Sequence, residues 1–174
     1  MMKLNQTQKL CIASILCAVA VAGGLLTFPI AGSKCAPVQH MVNILCAVLL
    51  GPGYGVGAAF GASLLRNLLG LGTLMAFPGS MFGALLCGLA YKKTQNIPLT
   101  LAAEVFGTAV LGGLCAYPVA VLLMGRQAGE IAFYAYIIPF FISTAAGAVL
   151  SGLLLGAMKR AGILNKTVEE VSSC

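Results

Sequence analysis

The chain has 174 residues, of which 60% are hydrophobic and 8% charged, with a formal net charge of +6. Soluble domains carry roughly 25% charged residues, so a deficit spread over the whole length excludes a soluble globular protein and points to a polytopic helical membrane protein. The basic residues sit singly or in pairs between apolar runs, a pattern of topology determinants and not of a nucleic-acid surface.

The first predicted helix covers about 9–28, roughly the length needed to cross a bilayer. Lys3 and Lys9 before an apolar core resemble a signal peptide, but no convincing cleavage site follows, so the segment reads as a retained helix. Ser14, Ala18 and Ala22 place small residues four apart on one face, where another helix can approach closely. That face serves either internal packing or the docking of a partner subunit.

Phe28-Pro29 ends this helix, and 30–36 reads as a loop. Pro37 suits the first turn of the second helix, since its missing N–H has no helical partner there. This helix, about 37–50, covers roughly 21 Å at about 1.5 Å per residue, short of a bilayer core of about 30 Å. It is expected to be sheltered by its neighbours, or the loop before it dips into the membrane.

A tight turn at Gly51-Pro52-Gly53 leads to the third helix, about 54–71. An irregular segment at 72–77 precedes the fourth, about 78–91, which Lys92 and Lys93 close. The fifth runs about 99–123 and the sixth about 132–158, with a polar loop holding Arg126 and Glu130 between them. Six spans put both termini on one side. Lys3, Lys9, Lys92, Lys93, Lys159, Arg160 and Lys166 fall on that side, against Lys34 and Arg126 opposite, so the termini are expected in the cytoplasm. The expected organisation is one transmembrane domain over 1–160 and a short cytoplasmic tail over 161–174.

The densest polar patch is 34–43, which holds the chain's single histidine. Gln39, His40 and Asn43 share one turn, because residues three and four apart adjoin on a helix. On the same outer side lie Arg66 and Asn67 late in the third helix, Ser80 early in the fourth and Tyr117 in the fifth. Buried polar groups cost free energy unless something satisfies them. These seven residues are the candidate binding site, open to the outside and walled by aromatics such as Phe77 and Phe140. Glu104, by contrast, is expected in the inner half, stabilised near the start of the fifth helix and too far in depth to pair with Arg66.

The chemistry is otherwise sparse. One histidine cannot hold a metal, and the seven cysteines have no CxxC or zinc spacing and read as structural thiols. No GxSxG elbow supports serine catalysis, and no GK[ST] supports ATP hydrolysis. The sequence therefore reads as a binding protein, neither enzyme nor ATPase and with no cofactor. A stand-alone secondary carrier or channel is the alternative. It needs a polar path or an inverted repeat, and apart from a recurring Ala-aromatic-Pro no repeat is visible.

The segments GSKCAPVQHMVN (32–43), SLLRN (63–67), AFPGSM (76–81) and AYP (116–118) resemble the ThiW family, over about 9–160. That family comprises substrate-capture (S) components of energy-coupling-factor (ECF) vitamin transporters. The resemblance implies a six-helix S-component bundle in a bacterial cell membrane that captures a thiamine precursor, the hydroxyethyl-thiazole, from outside; pyrimidine or thiamine are alternatives. It also implies a transmembrane T component and two cytoplasmic ATPase subunits as partners. Ala18 and Ala22 match the AxxxA face with which related S components dock the T component.

Overall fold

A computed structural model describes residues 5–30, 33–127 and 132–162, with Ser33 by its backbone alone. Lys3, Lys166, Glu130 and 163–174 lie outside these residues. Six helices are described: α1 (Gln6–Ala22), α2 (Pro37–Leu49), α3 (Pro52–Leu68), α4 (Ala76–Thr94), α5 (Ile97–Leu122) and α6 (Ile137–Arg160). Three of the apolar segments, Gln6–Leu26, Ile97–Leu122 and Ile137–Arg160, are long and apolar enough to cross a membrane.

Local chemistry sets most of the boundaries. Proline stands in the first turn of α2, α3 and α5, where it costs no helical hydrogen bond. The Asn96 side chain accepts from the Leu99 N–H at 3.3 Å to open α5. Pro139, expected in the first third of the sixth helix, stands in the first turn of α6 because that helix starts at Ile137 and not near 132. The first helix is shorter than expected: α1 tightens into a 3₁₀ turn at Gly23–Leu26.

The segment 30–36 is not a plain loop. Phe28–Ile30 (β1) and Ser33–Cys35 (β2) pair antiparallel, with Phe28 opposite Cys35 and Pro29 opposite Lys34. The ladder satisfies backbone groups that a loop would leave to water. The hairpin is tied to α6 by Cys35 Sγ donating to the Pro139 carbonyl and by the Ala36 N–H donating to Ser143 Oγ at 2.8 Å.

The short helix α2 is the centre of the molecule. It contacts α1, α3, α4, α5 and α6, and ten of its 13 residues are buried. Its apolar faces join two clusters, one with Ala13, Ala20, Ala58 and Ala62 of α1 and α3, the other with Tyr91, Ala148 and Leu155 of α4 and α6. The perimeter carries large exposed apolar side chains such as Leu64, Leu68, Leu122, Phe141 and Leu153. A polar interior under an apolar surface fits lipid as the surrounding solvent. Its neighbours shelter α2 as its length required.

Candidate functional site

Among the described residues twelve polar or charged ones are buried, and most of them meet where α2 crosses α3, α4 and α5. Gln39, His40 and Asn43 fan out from the first two turns of α2. Arg66 donates through Nη1 to Gln39 Oε1, and Gln39 Nε2 donates to Ser63 Oγ at 2.9 Å. The hydroxyls of Ser63 and Ser80 lie 2.9 Å apart. Ser80 gives its proton to the Ala76 carbonyl at 2.7 Å, so Ser63 is the donor of that pair. The chain of bonds therefore runs in one direction, from the α3 cation to an α4 backbone carbonyl.

Asn43 joins this chain to a second one. Its Nδ2 donates to the Ser80 carbonyl at 3.2 Å and to Glu104 Oε1 at 3.0 Å. The same oxygen accepts from Thr108 Oγ1 at 3.2 Å and from His40 Nδ1 at 3.0 Å. An acceptor oxygen here calls for the proton on Nδ1, which leaves Nε2 as the second polar atom of the ring. Thr108 lies in a π-helical stretch, Gly107–Gly112, within α5, a distortion frequent at functional sites.

Glu104 is the member that sequence reasoning missed. It is fully buried and belongs to the polar cluster, so its expected separation from that cluster is corrected. The reason is geometric. Leu45 and Val48 of α2 pack against Tyr91 in the last turns of α4. From there the 13 residues of α2 reach back only about 20 Å. Its polar first turns therefore sit inside the bundle, level with Glu104 on the second turn of α5. Sequence reasoning had placed them at the outer rim. The shortness of the second helix was the one available signal.

Two close approaches hold the buried charges. A Cβ on Gly24 would stand 2.8 Å from Arg66 Nε, and one on Gly83 would stand 2.7 Å from Glu104 Oε1. Neither charged head would fit beside a larger residue.

A cavity of about 30 Å³ opens onto this network. Gln39 and His40 line it from α2, Arg66 from α3, Ala76, Gly79 and Ser80 from α4, and Thr108 from α5. Phe140 and Ser143 of α6 form the opposite wall, and Lys34 and Thr73 stand at its edge. Of the sequence candidates, Gln39, His40, Arg66 and Ser80 thus reach the cavity. Asn43 stands behind them, bonded to Ser80 and Glu104. Asn67 turns away, donating to the Ser63 and Thr73 carbonyls at 2.8 and 3.1 Å, and Tyr117 is not among the lining residues. Lys34, Ser143 and Thr108 line it without having been singled out. Phe140 fills the place of the expected aromatic wall.

Ser14, Ala18 and Ala22 are exposed on α1, opposite the face that buries Ala13 and Ala20. Ser14 and Ala18 line a shallow groove between α1 and α3, with Gly57, Ala58 and Leu65 on its other side. Among the described residues no group of three or more His, Cys, Asp or Glu side chains is placed to hold a metal ion.

A search of curated proteins finds no match. The family model described as ThiW, thiamine-precursor transporter protein, matches residues 10–161, from α1 to just past the end of α6. The buried polar site, the apolar perimeter and this match agree: the chain is a membrane protein and belongs to the ThiW family of thiamine-precursor transporter proteins.

Proposed function

We propose that the chain is the substrate-capture subunit of an ECF-type importer and that it binds hydroxyethyl-thiazole at the cavity between α2 and α6. The observation that carries this reading is the polar network under that cavity. It offers a guanidinium donor at Arg66, the imidazole of His40 and a flat apolar wall at Phe140. A small heteroaromatic alcohol has one ring-nitrogen acceptor, one hydroxyl donor and a flat face, which is the complementary inventory.

The sequence has no phosphate-binding GK[ST] motif, so transport driven by ATP requires other subunits. A transmembrane T component and two cytoplasmic ATPases supply that role in this proposal. The exposed Ser14, Ala18 and Ala22 give the T component a smooth surface on α1. The basic residues at 92–93 and 159–160 support six spans in a bacterial cell membrane with cytoplasmic termini, and 1–160 then acts as one domain with a short tail.

Purified protein in detergent, titrated calorimetrically with hydroxyethyl-thiazole, the pyrimidine precursor and thiamine, tests the substrate. Saturable binding of the thiazole in preference to the other two is expected. Preference for the pyrimidine or for thiamine overturns the substrate assignment.

A further inference from the structure

Arg66 is 2% exposed, and its one described hydrogen bond is to the neutral amide oxygen of Gln39. Its Nε has no partner among the described residues. Among the described residues the one buried carboxylate, Glu104, is bonded by His40, Asn43 and Thr108 and does not line the cavity. A buried cation with a neutral partner alone keeps most of its desolvation cost. Gln39 answers the geometry of one N–H and leaves the charge unanswered.

The second observation concerns the rest of the lining. Lys34 stands at the edge of the same cavity, its Nζ resting on the Gly70 carbonyl at 3.1 Å. Glu104, the one acidic residue among the described residues, does not line it. Of Lys34, Arg66 and Glu104, the two cations line the cavity and the carboxylate does not.

We propose that the ligand bears an anionic group, a carboxylate or a phosphate ester, that pairs with Arg66. This rests on the thiazole reading above and takes an anionic derivative of that ring as the ligand in place of the free alcohol: the ring packs on Phe140 while the anion supplies the counter-charge that no described residue gives Arg66. A planar guanidinium with free N–H groups suits a two-oxygen acceptor. Lys34, released from Gly70, adds a second cation at the mouth. The cavity of about 30 Å³ holds no more than a few waters, so side chains shift when the ligand enters, and the exposed Lys34 stands at the edge.

The test compares three ligands of one ring: hydroxyethyl-thiazole, its phosphate monoester, and the analogue with a carboxymethyl in place of the hydroxyethyl group. Each is titrated into the wild type, Arg66→Gln and Arg66→Lys in detergent. At least one anion is expected to bind the wild type about tenfold tighter than the alcohol or better. That preference disappears in Arg66→Gln and is partly kept in Arg66→Lys. Which anion binds tighter identifies the carboxylate or the phosphate source. The wild-type ranking needs no variant to fold. An alcohol that binds the wild type as tightly as both anions overturns the proposal and leaves the thiazole reading standing. A preference that survives in Arg66→Gln also overturns it. Binding of none of the three overturns the proposal together with the thiazole reading.

Discussion

His40 and Glu104 meet at 3.0 Å, Nδ1 to Oε1, across 64 residues of chain. The bond joins the central helix to α5, and Glu104 Oε1 accepts from Asn43 and Thr108 as well. One oxygen thus gathers three donors from two helices. Removing it leaves three buried donors short of an acceptor, and that loss is felt by the fold before it is felt by a ligand.

Glu104→Ala is therefore expected to destabilise the protein by about 3 kcal/mol or more, since each buried donor left unsatisfied costs about 1–3 kcal/mol. Glu104→Gln keeps an acceptor oxygen and is expected to cost less. Thermal unfolding in detergent reads both. An alanine variant as stable as the wild type would show that the carboxylate does not hold these donors.

His40 and Asn43 separate binding from support. His40 lines the cavity, so His40→Ala is expected to weaken binding of the thiazole-type ligand several-fold to about tenfold, from a neutral hydrogen bond worth about 0.5–1.5 kcal/mol. Asn43 bridges Ser80 and Glu104 from behind. Asn43→Ala is expected to lower the unfolding midpoint and to affect affinity through Ser80 and Glu104. Unchanged affinity in both variants places the site elsewhere.

Gly83 and Gly57 make a matched pair. A methyl at Gly83 meets Glu104 Oε1 at 2.7 Å, while one at Gly57 meets nothing within 4 Å. Gly83→Ala is expected to cost about 1–3 kcal/mol, as overpacking does. Gly57→Ala is expected to be neutral or to gain up to about 1 kcal/mol of helix propensity. The same unfolding assay ranks them, and equal midpoints would mean that α4 and α5 are not in close contact at Gly83.

How far the sequence could be read depends on which physics fixed each feature. Helical periodicity alone puts Gln39, His40 and Asn43 on one turn, and the rarity of an arginine in an apolar run singles out Arg66. Both features hold in the structure. Depth is different, because estimating it from helix ends assumes that every helix starts at the bilayer surface. The second helix starts within the bundle under a hairpin, and that displacement brought Glu104 into the site. Tyr117 lies roughly 20 Å beyond Glu104 along α5, at about 1.5 Å per residue, and is not among the residues that line the cavity. Asn67 follows Arg66 directly, about 100° around the helix, and so faces the loop carbonyls and not the cavity.

Topology has its own test. Lys93 is exposed in the last turn of α4, on the side where the basic residues gather. A Lys93→Cys variant is expected to resist a membrane-impermeant thiol reagent in intact cells and to react after the membrane is opened. Native Cys11, exposed in α1, is replaced by serine first so that it does not contribute. Labelling from outside would reverse the orientation.

The face of α1 yields the last prediction. Ala20 is 1% exposed and packs in the cluster with Val42, Cys46 and Ala62, while Ala18 points away from that cluster and is exposed. Leucine at the two positions therefore probes different things. Ala20→Leu forces extra methylene groups into a packed core and is expected to lose about 1–3 kcal/mol of stability. Ala18→Leu adds apolar surface where lipid or a partner helix lies, so ligand affinity and unfolding midpoint are expected to stay at wild-type values. If Ser14, Ala18 and Ala22 are the docking face, the leucine keeps a partner helix from approaching closely, and precursor uptake by cells that carry the full transporter is expected to fall to background. Uptake at the wild-type level moves the docking face off α1. A parallel loss of affinity and uptake assigns Ala18 to internal packing, against its exposure in the structure.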